Sequence, residues 1–323
     1  MKNKLKFTEL DKTTWDTYID LIDFTNLSQN WEYGVAKCNY GKWSRKNYLV
    51  KSERDEDLGI IQVLKKRFYI IDVFRVNRGP LIFTNNATRD NRYLKYDVLN
   101  NLKSRVSNNL CSLFLVAPEI ESKRAEYSRL KFFKRRNLIP YGSSRINLNV
   151  SEEELLMSIS AKWRNLLKKS HKLGVIVENT AISSENLDML ISFYEESQKS
   201  KNYKGVPGNV LRDLALQSND RFCFSYYTAK SPENLEVIGM LVSVKHGNTS
   251  TYLLGATNDV GRELNANYAM LWASILASQM NGCDWYDLGG INENTTDGVK
   301  RFKTRLNGYE YSLIGEFWSF RIF

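Results

Sequence analysis

Apolar residues in this chain fall into short runs bounded by turn residues, and the runs alternate with amphipathic stretches of helical period. That alternation indicates an α/β (α+β) organisation. Residues 58–63 read as a strand opened by Gly59, and after a turn a second β-rich run covers 67–76. A helical stretch is expected over about 92–109, a buried strand over 111–117 and a basic helix over 124–136. The same order then recurs. Residues 238–244 form a glycine-opened strand that turns at His246-Gly247-Asn248 and returns over 250–255. A helix over 262–280, a strand over 283–288 and a basic helix over 297–306 complete the match. This suggests a duplicated unit, against the plainer reading of two ordinary α/β stretches. The turn-rich segment 137–144, with Pro140 and Gly142, is the candidate boundary, and a crossing strand follows it over 145–150.

The clearest helix pattern runs over 151–172. Ser151 and Glu154 have capping-box spacing, and Leu155, Leu156, Ile159, Trp163, Leu166 and Leu167 recur on one face. Lys168, Lys169, His171 and Lys172 crowd its last turns, Gly174 stands where a C-terminal cap belongs, and 175–177 read as a strand. Another helix is expected over 185–200.

Composition narrows the possibilities. In 323 residues, 42% are hydrophobic and 12% aromatic, enough for a sizeable core and incompatible with a disordered chain. Lys and Arg number 46 against 36 Asp and Glu, and the net charge of +10 hints at an anionic partner. The longest apolar runs are too short to span a bilayer, and the basic amino terminus has no hydrophobic signal core. A soluble, cytoplasmic protein is expected. Cys38, Cys111, Cys223 and Cys283 lack CxxC spacing and fit reduced thiols, and with only His171 and His246 a histidine metal centre is not expected. The chain has no Walker-A pattern, GxGxxG after a strand, HExxH or GxSxG.

Three segments carry candidate chemistry, each with a plainer alternative. Lys162-Trp163-Arg164-Asn165 and the cations after it form a basic helix end able to hold phosphates; alternatively they complement the helix dipole while Trp163 packs in the core. Residues 284–290 end in Gly289-Gly290, where backbone can approach a ligand, and lead into a helix bearing Lys300, Arg301, Phe302, Lys303 and Arg305. A lysine there can stabilise a tetrahedral acyl-transfer intermediate, or the run is a solvated basic face. The third comprises residues 28–37, with Trp31 and Lys37, and Arg75 to Pro80. It suits a phosphate-bearing sugar or nucleotide, or is a loop packed by its aromatics.

Taken in order, these segments resemble the FemABX family, enzymes that transfer amino acids from aminoacyl-tRNA to peptidoglycan precursors. The resemblance rests on 162–175, 252–256, the helix with Tyr268 and Trp272, 286–290 and 298–303. Ser28, Gln29, Trp31, Lys37 and Arg78-Gly79-Pro80 resemble the family's amino-terminal signatures, so that the match spans about 28–318. It implies two tandem GNAT-like acyltransferase subdomains sharing a cleft: 1–144 on the acceptor side and 145–323 carrying the acyl-transfer site. The segment between Thr180 and Arg221 has no heptad-rich insertion, so the coiled-coil arm of some members has no counterpart.

The resemblance also implies roles. Lys37 grips a phosphate of the acceptor, with Lys204 or Arg212 as a second contact, and Trp31 and Tyr252 belong to the substrate-binding set. Phe302 and Lys303 form the acyl-transfer pair, Lys303 stabilising the oxyanion. Arg164, Lys168, Lys169, Lys300 and Arg301 are assigned to tRNA phosphate. No metal, cofactor or covalent enzyme intermediate is implied. The partners are aminoacyl-tRNA and a nucleotide- or lipid-linked envelope precursor, with transient membrane-surface association and no stable protein partner. Residues 39–47 show no substrate signature, which leaves the acceptor open.

The chief rival is an acyl-CoA-dependent N-acyltransferase of the GNAT type acting on an amino sugar or amino acid. GNAT enzymes hold pyrophosphate with an R/Q-x-x-G-x-G/A loop; here Arg262 is followed by Asn265 and Asn267 at the glycine positions, which favours tRNA over CoA. A noncatalytic nucleic-acid binder is a third reading, against which no RNP-type aromatic motif, KH loop or zinc knuckle occurs.

Overall fold

The computed structural model describes residues 4–83, 91–105, 111–131, 133–136, 138–203 and 205–322. The first elements are β1 (Lys6–Glu9), α1 (Lys12–Ile19), α2 (Trp31–Gly41), β2 (Ser44–Lys51), β3 (Asp57–Phe68), β4 (Ile71–Asn77) and β5 (Leu81–Ile82). They are followed by α3 (Asn91–Arg105), β6 (Cys111–Ala117), β7 (Lys134–Arg135) and β8 (Gly142–Asn147). Next come α4 (Glu152–Ser158), α5 (Ala161–Lys172), β9 (Ile176–Thr180), α6 (Ser184–Lys201), α7 (Gly208–Leu216) and β10 (Phe222–Lys230). The chain closes with β11 (Val237–His246), β12 (Thr249–Thr257), α8 (Asp259–Glu263), α9 (Ala266–Met280), β13 (Trp285–Asp287), α10 (Asp297–Thr304), β14 (Tyr309–Ser312) and β15 (Phe317–Ile322).

Two compact units result, Met1–Gly142 with Tyr311–Phe323, and Ser143–Glu310. The expected division at 144/145 lies close to Ser143, but 311–323 return to the first unit. The cause is β15, which pairs antiparallel with β6 from Phe317↔Val116 onward. Before it, Leu313 N donates to Tyr141 O at 2.8 Å and Ile314 N to Ile120 O at 2.9 Å.

The sheets run β1-β2-β3-β4-β6-β15-β7, with β5 on β3, and β14-β8-β13-β12-β11-β10-β9. Each contains an antiparallel hairpin, a helical crossover and a strand parallel to the hairpin's second arm. In the first unit β6 lies parallel to β4 over its full length, Ile71↔Cys111 to Asn77↔Ala117. In the second, β13 accompanies β12 only from Thr249↔Trp285 to Thr251↔Asp287. Beyond Thr251, β12 continues without β13 beside it.

Burial explains these elements. β11 is buried from Ile238 to Val244, as a central strand covered on both faces must be. α9 packs Ala266, Ala269, Met270, Trp272 and Ile275 into the second unit's core with Trp163, Tyr286 and Phe302. A Cβ on Gly239 would lie 2.8 Å from Met270 Cε, so glycine at the strand opening lets the helix approach.

Several expected elements differ. The helix over 151–172 is two helices: the capping box at Ser151 and Glu154 forms, but Ile159 is extended and Ser160 caps α5 by accepting from Trp163 N at 3.4 Å. A second serine N-cap thus interrupts an unbroken apolar stripe. The basic helix over 124–136 is absent; 3₁₀ turns at Ser122–Arg124 and Tyr127–Arg129 lead into β7, which pairs with β15. The helix over 262–280 breaks at Asn265, whose φ is +58°. The strand run over 67–76 divides, because Arg67 and Phe68 end β3. Among the described residues between β9 and β10, the helices are α6 and α7, of 18 and 9 residues. Among the described residues no helix is long and apolar enough to cross a membrane.

Gln29 has a structural task in the first unit. Pairing of β3 with β4 ends at Leu64↔Arg75, and the buried Gln29 carboxamide fills the next rung. Its Oε1 accepts from Gln62 N at 2.8 Å and its Nε2 donates to Asn77 O at 2.7 Å. Nearby, Arg78 is buried against Glu119, with Nη2 2.9 Å from Oε1 and 2.8 Å from the Tyr311 hydroxyl. Gln29→Ala leaves a buried N–H and a carbonyl without partners, so urea denaturation should register a loss of about 1–3 kcal/mol. An unchanged midpoint would show that the rung is dispensable.

Candidate active site in the second unit

α10 places Phe302 and Lys303 side by side and buries both. Phe302 is anchored by Trp163 at 6.2 Å in a stacked arrangement and by Tyr268 at 5.1 Å edge-on. Trp163 Nε1 also donates to Phe302 O at 3.1 Å. Trp163 is therefore a platform beneath α10 and packs in the core, as the plainer reading of its segment had it. The platform fixes the backbone from which Lys303 projects.

The Lys303 ammonium donates to Gly290 O at 3.1 Å and lies 4.9 Å from the centre of the Tyr252 ring. It is 6% exposed. Burial pushes its pKa down to about 8, and the nearby Asp287 carboxylate opposes that shift. Asp287 is itself buried, accepts from Gly289 N at 2.9 Å and is bonded to the Ser143 hydroxyl. Ser143 Oγ also lies 2.9 Å from Gly289 O, so the turn after β13 is held from two sides. Gly289 has φ +68°.

Tyr252 sits at a bulge: Ser243 pairs with Tyr252 and Val242 with Leu254, which leaves Leu253 between them. A Cβ on Gly255 would lie 2.1 Å from the Tyr252 hydroxyl, so only glycine leaves that oxygen its place. Burial raises the Tyr252 pKa, and the neighbouring Tyr203 and Tyr194 raise it further. The short β12–β13 pairing, the bulge and the double glycine thus gather a dehydrated ammonium, a buried carboxylate and a tyrosine. The ammonium of that group can stabilise negative charge developing on an acyl oxygen.

The remaining expected residues are distributed as follows. Lys168, Lys169, Lys300 and Arg301 are exposed on α5 and α10 and form no ion pair among the described residues. These helices are neighbours, since Ser160 N donates to Arg305 O at 3.0 Å beside the Trp163–Phe302 contact. Arg164 has another employment: its Nη1 donates to Met157 O at 2.8 Å and Ile159 O at 2.6 Å, closing the end of α4. Arg212 is paired with Asp188, between α7 and α6. In the first unit Lys37 Nζ lies 5.4 Å from the Tyr33 ring centre, and Trp31 lies under the Arg45 guanidinium at 3.7 Å. Lys204 lies outside the described residues. Asp287 belongs to the motif over 286–290 but has no role assigned from sequence, and Ser143 is not indicated by sequence at all. Among the described residues no group of three or more His, Cys, Asp or Glu side chains is placed to hold a metal ion.

The double glycine yields a direct contrast. A Cβ on Gly289 would meet Tyr252 O at 2.6 Å at a positive φ, whereas one on Gly290 meets nothing within 4 Å. In urea denaturation Gly289→Ala should cost about 2 kcal/mol or more, while Gly290→Ala stays within about 0.5 kcal/mol. Equal midpoints would contradict the close approach.

Residues 195–320 match the model of the FemAB family. Among curated proteins, none matches the chain. The fold is similar to a crystal structure of FemX, with TM-score 0.77 and 15% identity over 97% of this chain and 96% of that one. A tandem GNAT protein from the clavulanic acid biosynthesis pathway gives TM-score 0.53 and 10% identity over 98% of both chains. L-PGS from Bacillus licheniformis gives 0.52 and 11% identity over 97% of this chain and 92% of that one. Residues 195–320 thus match the FemAB family, and the chain as a whole has a fold similar to FemX and to a tandem GNAT protein.

Proposed function

We propose that the protein moves an amino acid from aminoacyl-tRNA to an amino group of a peptidoglycan or other cell-envelope precursor. The observation that carries this reading is the buried Lys303 ammonium at the mouth of the β12–β13 gap. In the proposed step the acceptor amine attacks the ester carbonyl carbon and the carbonyl electron pair moves onto oxygen. Lys303 stabilises that oxyanion. Collapse breaks the bond to the ribose oxygen, which takes up the proton the amine releases. Holding amine and ester together supplies much of the rate, and the scheme uses no metal, cofactor or covalent enzyme intermediate.

The unpaired cations of α5 and α10 support a nucleic-acid donor: Lys168, Lys169, Lys300 and Arg301 belong to adjoining helices of the same unit as Lys303. Lys37 is assigned to an acceptor phosphate, and Trp31 of the same helix to the substrate-binding set. Tyr252 lines the acyl-transfer site. Lys204 or Arg212 is assigned as a second phosphate contact, Arg212 once its pair with Asp188 opens. A donor of this kind places the reaction in the cytoplasm.

The acyl-CoA reading keeps one point in its favour. Asn265 adopts the left-handed backbone that a glycine would supply, so its presence does not abolish the turn before α9. A single assay separates the donors. Bulk tRNA charged with radiolabelled amino acids and acetyl-CoA are offered in parallel, with a nucleotide-linked peptidoglycan precursor as acceptor. Transfer is expected from aminoacyl-tRNA, and Lys303→Ala should lower it by ~10²–10³ without unfolding the protein. Transfer from acetyl-CoA alone would overturn the donor assignment; near wild-type turnover of the variant would remove Lys303 from the chemistry.

A further inference from the structure

The β3–β4 hairpin has an unusual tip. Pairing runs to Phe68↔Ile71, so the turn consists of Tyr69 and Ile70 alone. Two-residue hairpin turns favour Asn and Gly, because the backbone must enter the left-handed region. Here Tyr69 takes φ +51°, with Arg67 Nε donating to Tyr69 O at 3.1 Å. Phe68, Tyr69 and Ile70 are 50%, 97% and 72% exposed. Among the described residues no other stretch exposes three large apolar side chains in succession. A bulky residue held at positive φ and an apolar tip set in water are both costs that packing within the chain does not offset.

Behind the tip stands a collar of positive charge. Lys66 Nζ donates to Gly41 O at 2.8 Å, lies 5.2 Å from the Phe68 ring centre and 5.9 Å from that of Trp43. That bond brings the end of α2 to the hairpin, and with it the exposed Lys42. Lys65 is neutralised by the buried Asp72 at 2.8 Å, but among the described residues Lys42, Lys66 and Arg67 form no ion pair. The hairpin's rungs are closed by its own strands, so the tip can leave water without orphaning the ladder groups.

We propose that this hairpin is a membrane-surface anchor: Phe68, Tyr69 and Ile70 enter the headgroup layer of an anionic bilayer while Lys42, Lys66 and Arg67 meet its lipid phosphates. An aromatic and aliphatic tip backed by cations suits that layer, where amphipathic rings settle and each basic residue adds attraction to acidic lipid. A neutral apolar groove on a protein would match the tip and leave the collar unanswered. The inference is independent of the transfer chemistry, since none of these residues belongs to the second unit.

Co-sedimentation with phosphatidylglycerol vesicles, against phosphatidylcholine vesicles, tests it. The wild type should pellet with the anionic vesicles and weakly with the neutral ones. The variant combining Phe68→Ser, Tyr69→Ser and Ile70→Ser should lose binding by about tenfold or more, and Lys66→Gln with Arg67→Gln should erase the preference for anionic lipid. Tyr69→Trp should be quenched by brominated acyl chains in phosphatidylglycerol vesicles. Absence of wild-type binding, undiminished binding of the tip variant, or an unquenched Tyr69→Trp would each overturn the proposal. So would light scattering in which the tip variant dissolves a dimer while the wild type ignores both lipids.

Discussion

The dehydration of one ammonium group organises the second unit. Removing Lys303 from water disfavours its charged form, and the surrounding structure returns only part of that loss, through Gly290 O, the Tyr252 ring face and the field of Asp287. Each local irregularity nearby serves this arrangement. β13 stops after three residues, which opens the gap; the bulge at Leu253 sets Tyr252; Gly289 lets backbone pass Tyr252 O. Trp163 and Tyr268 hold Phe302, so α10 cannot rotate its lysine away. A cation poised this way interacts with developing charge more strongly than one in solvent would.

The two units share a plan and use it differently. In the first, β4 and β6 pair along their whole length, and the hairpin's own separation is bridged by Gln29. In the second, the corresponding parallel pair diverges and the space is given to Lys303 and Tyr252. The same topology thus yields a closed sheet with an exposed basic hairpin in one case and a buried charged site in the other.

Much of this was legible in the chain because local signals and burial agreed. The strand at 238–244, the capping box at Ser151 and the glycine cap at Gly174 all formed, since each rests on neighbours in sequence. The breaks at Ser160 and Asn265 were missed because an apolar stripe continues through them, while a serine cap and a left-handed asparagine override it. The basic stretch 124–136 was misread as helix because its fate is decided by β15, nearly two hundred residues later. At the site, Phe302, Lys303, Tyr252 and Gly289 stood out by motif. Asp287 lay within the same motif as Gly289 but its part, like that of Ser143, was not legible, because a polar group's value there depends on a contact between distant strands. Arg164 shows the converse: a conspicuous cation whose guanidinium is used on the end of α4.

The central claim is that Lys303 is a dehydrated ammonium held near the point of deprotonation. Nuclear magnetic resonance titration of the intact protein with ¹³C-labelled lysine side chains, Lys303 assigned by comparison with Lys303→Met, measures this directly. An apparent pKa near 8 is expected, with the group charged at neutral pH and losing its proton, and with it the oxyanion donor, as pH rises through that value. Titration at the ordinary lysine value of about 10.4 would mean that the ammonium is solvated and would contradict the site as described.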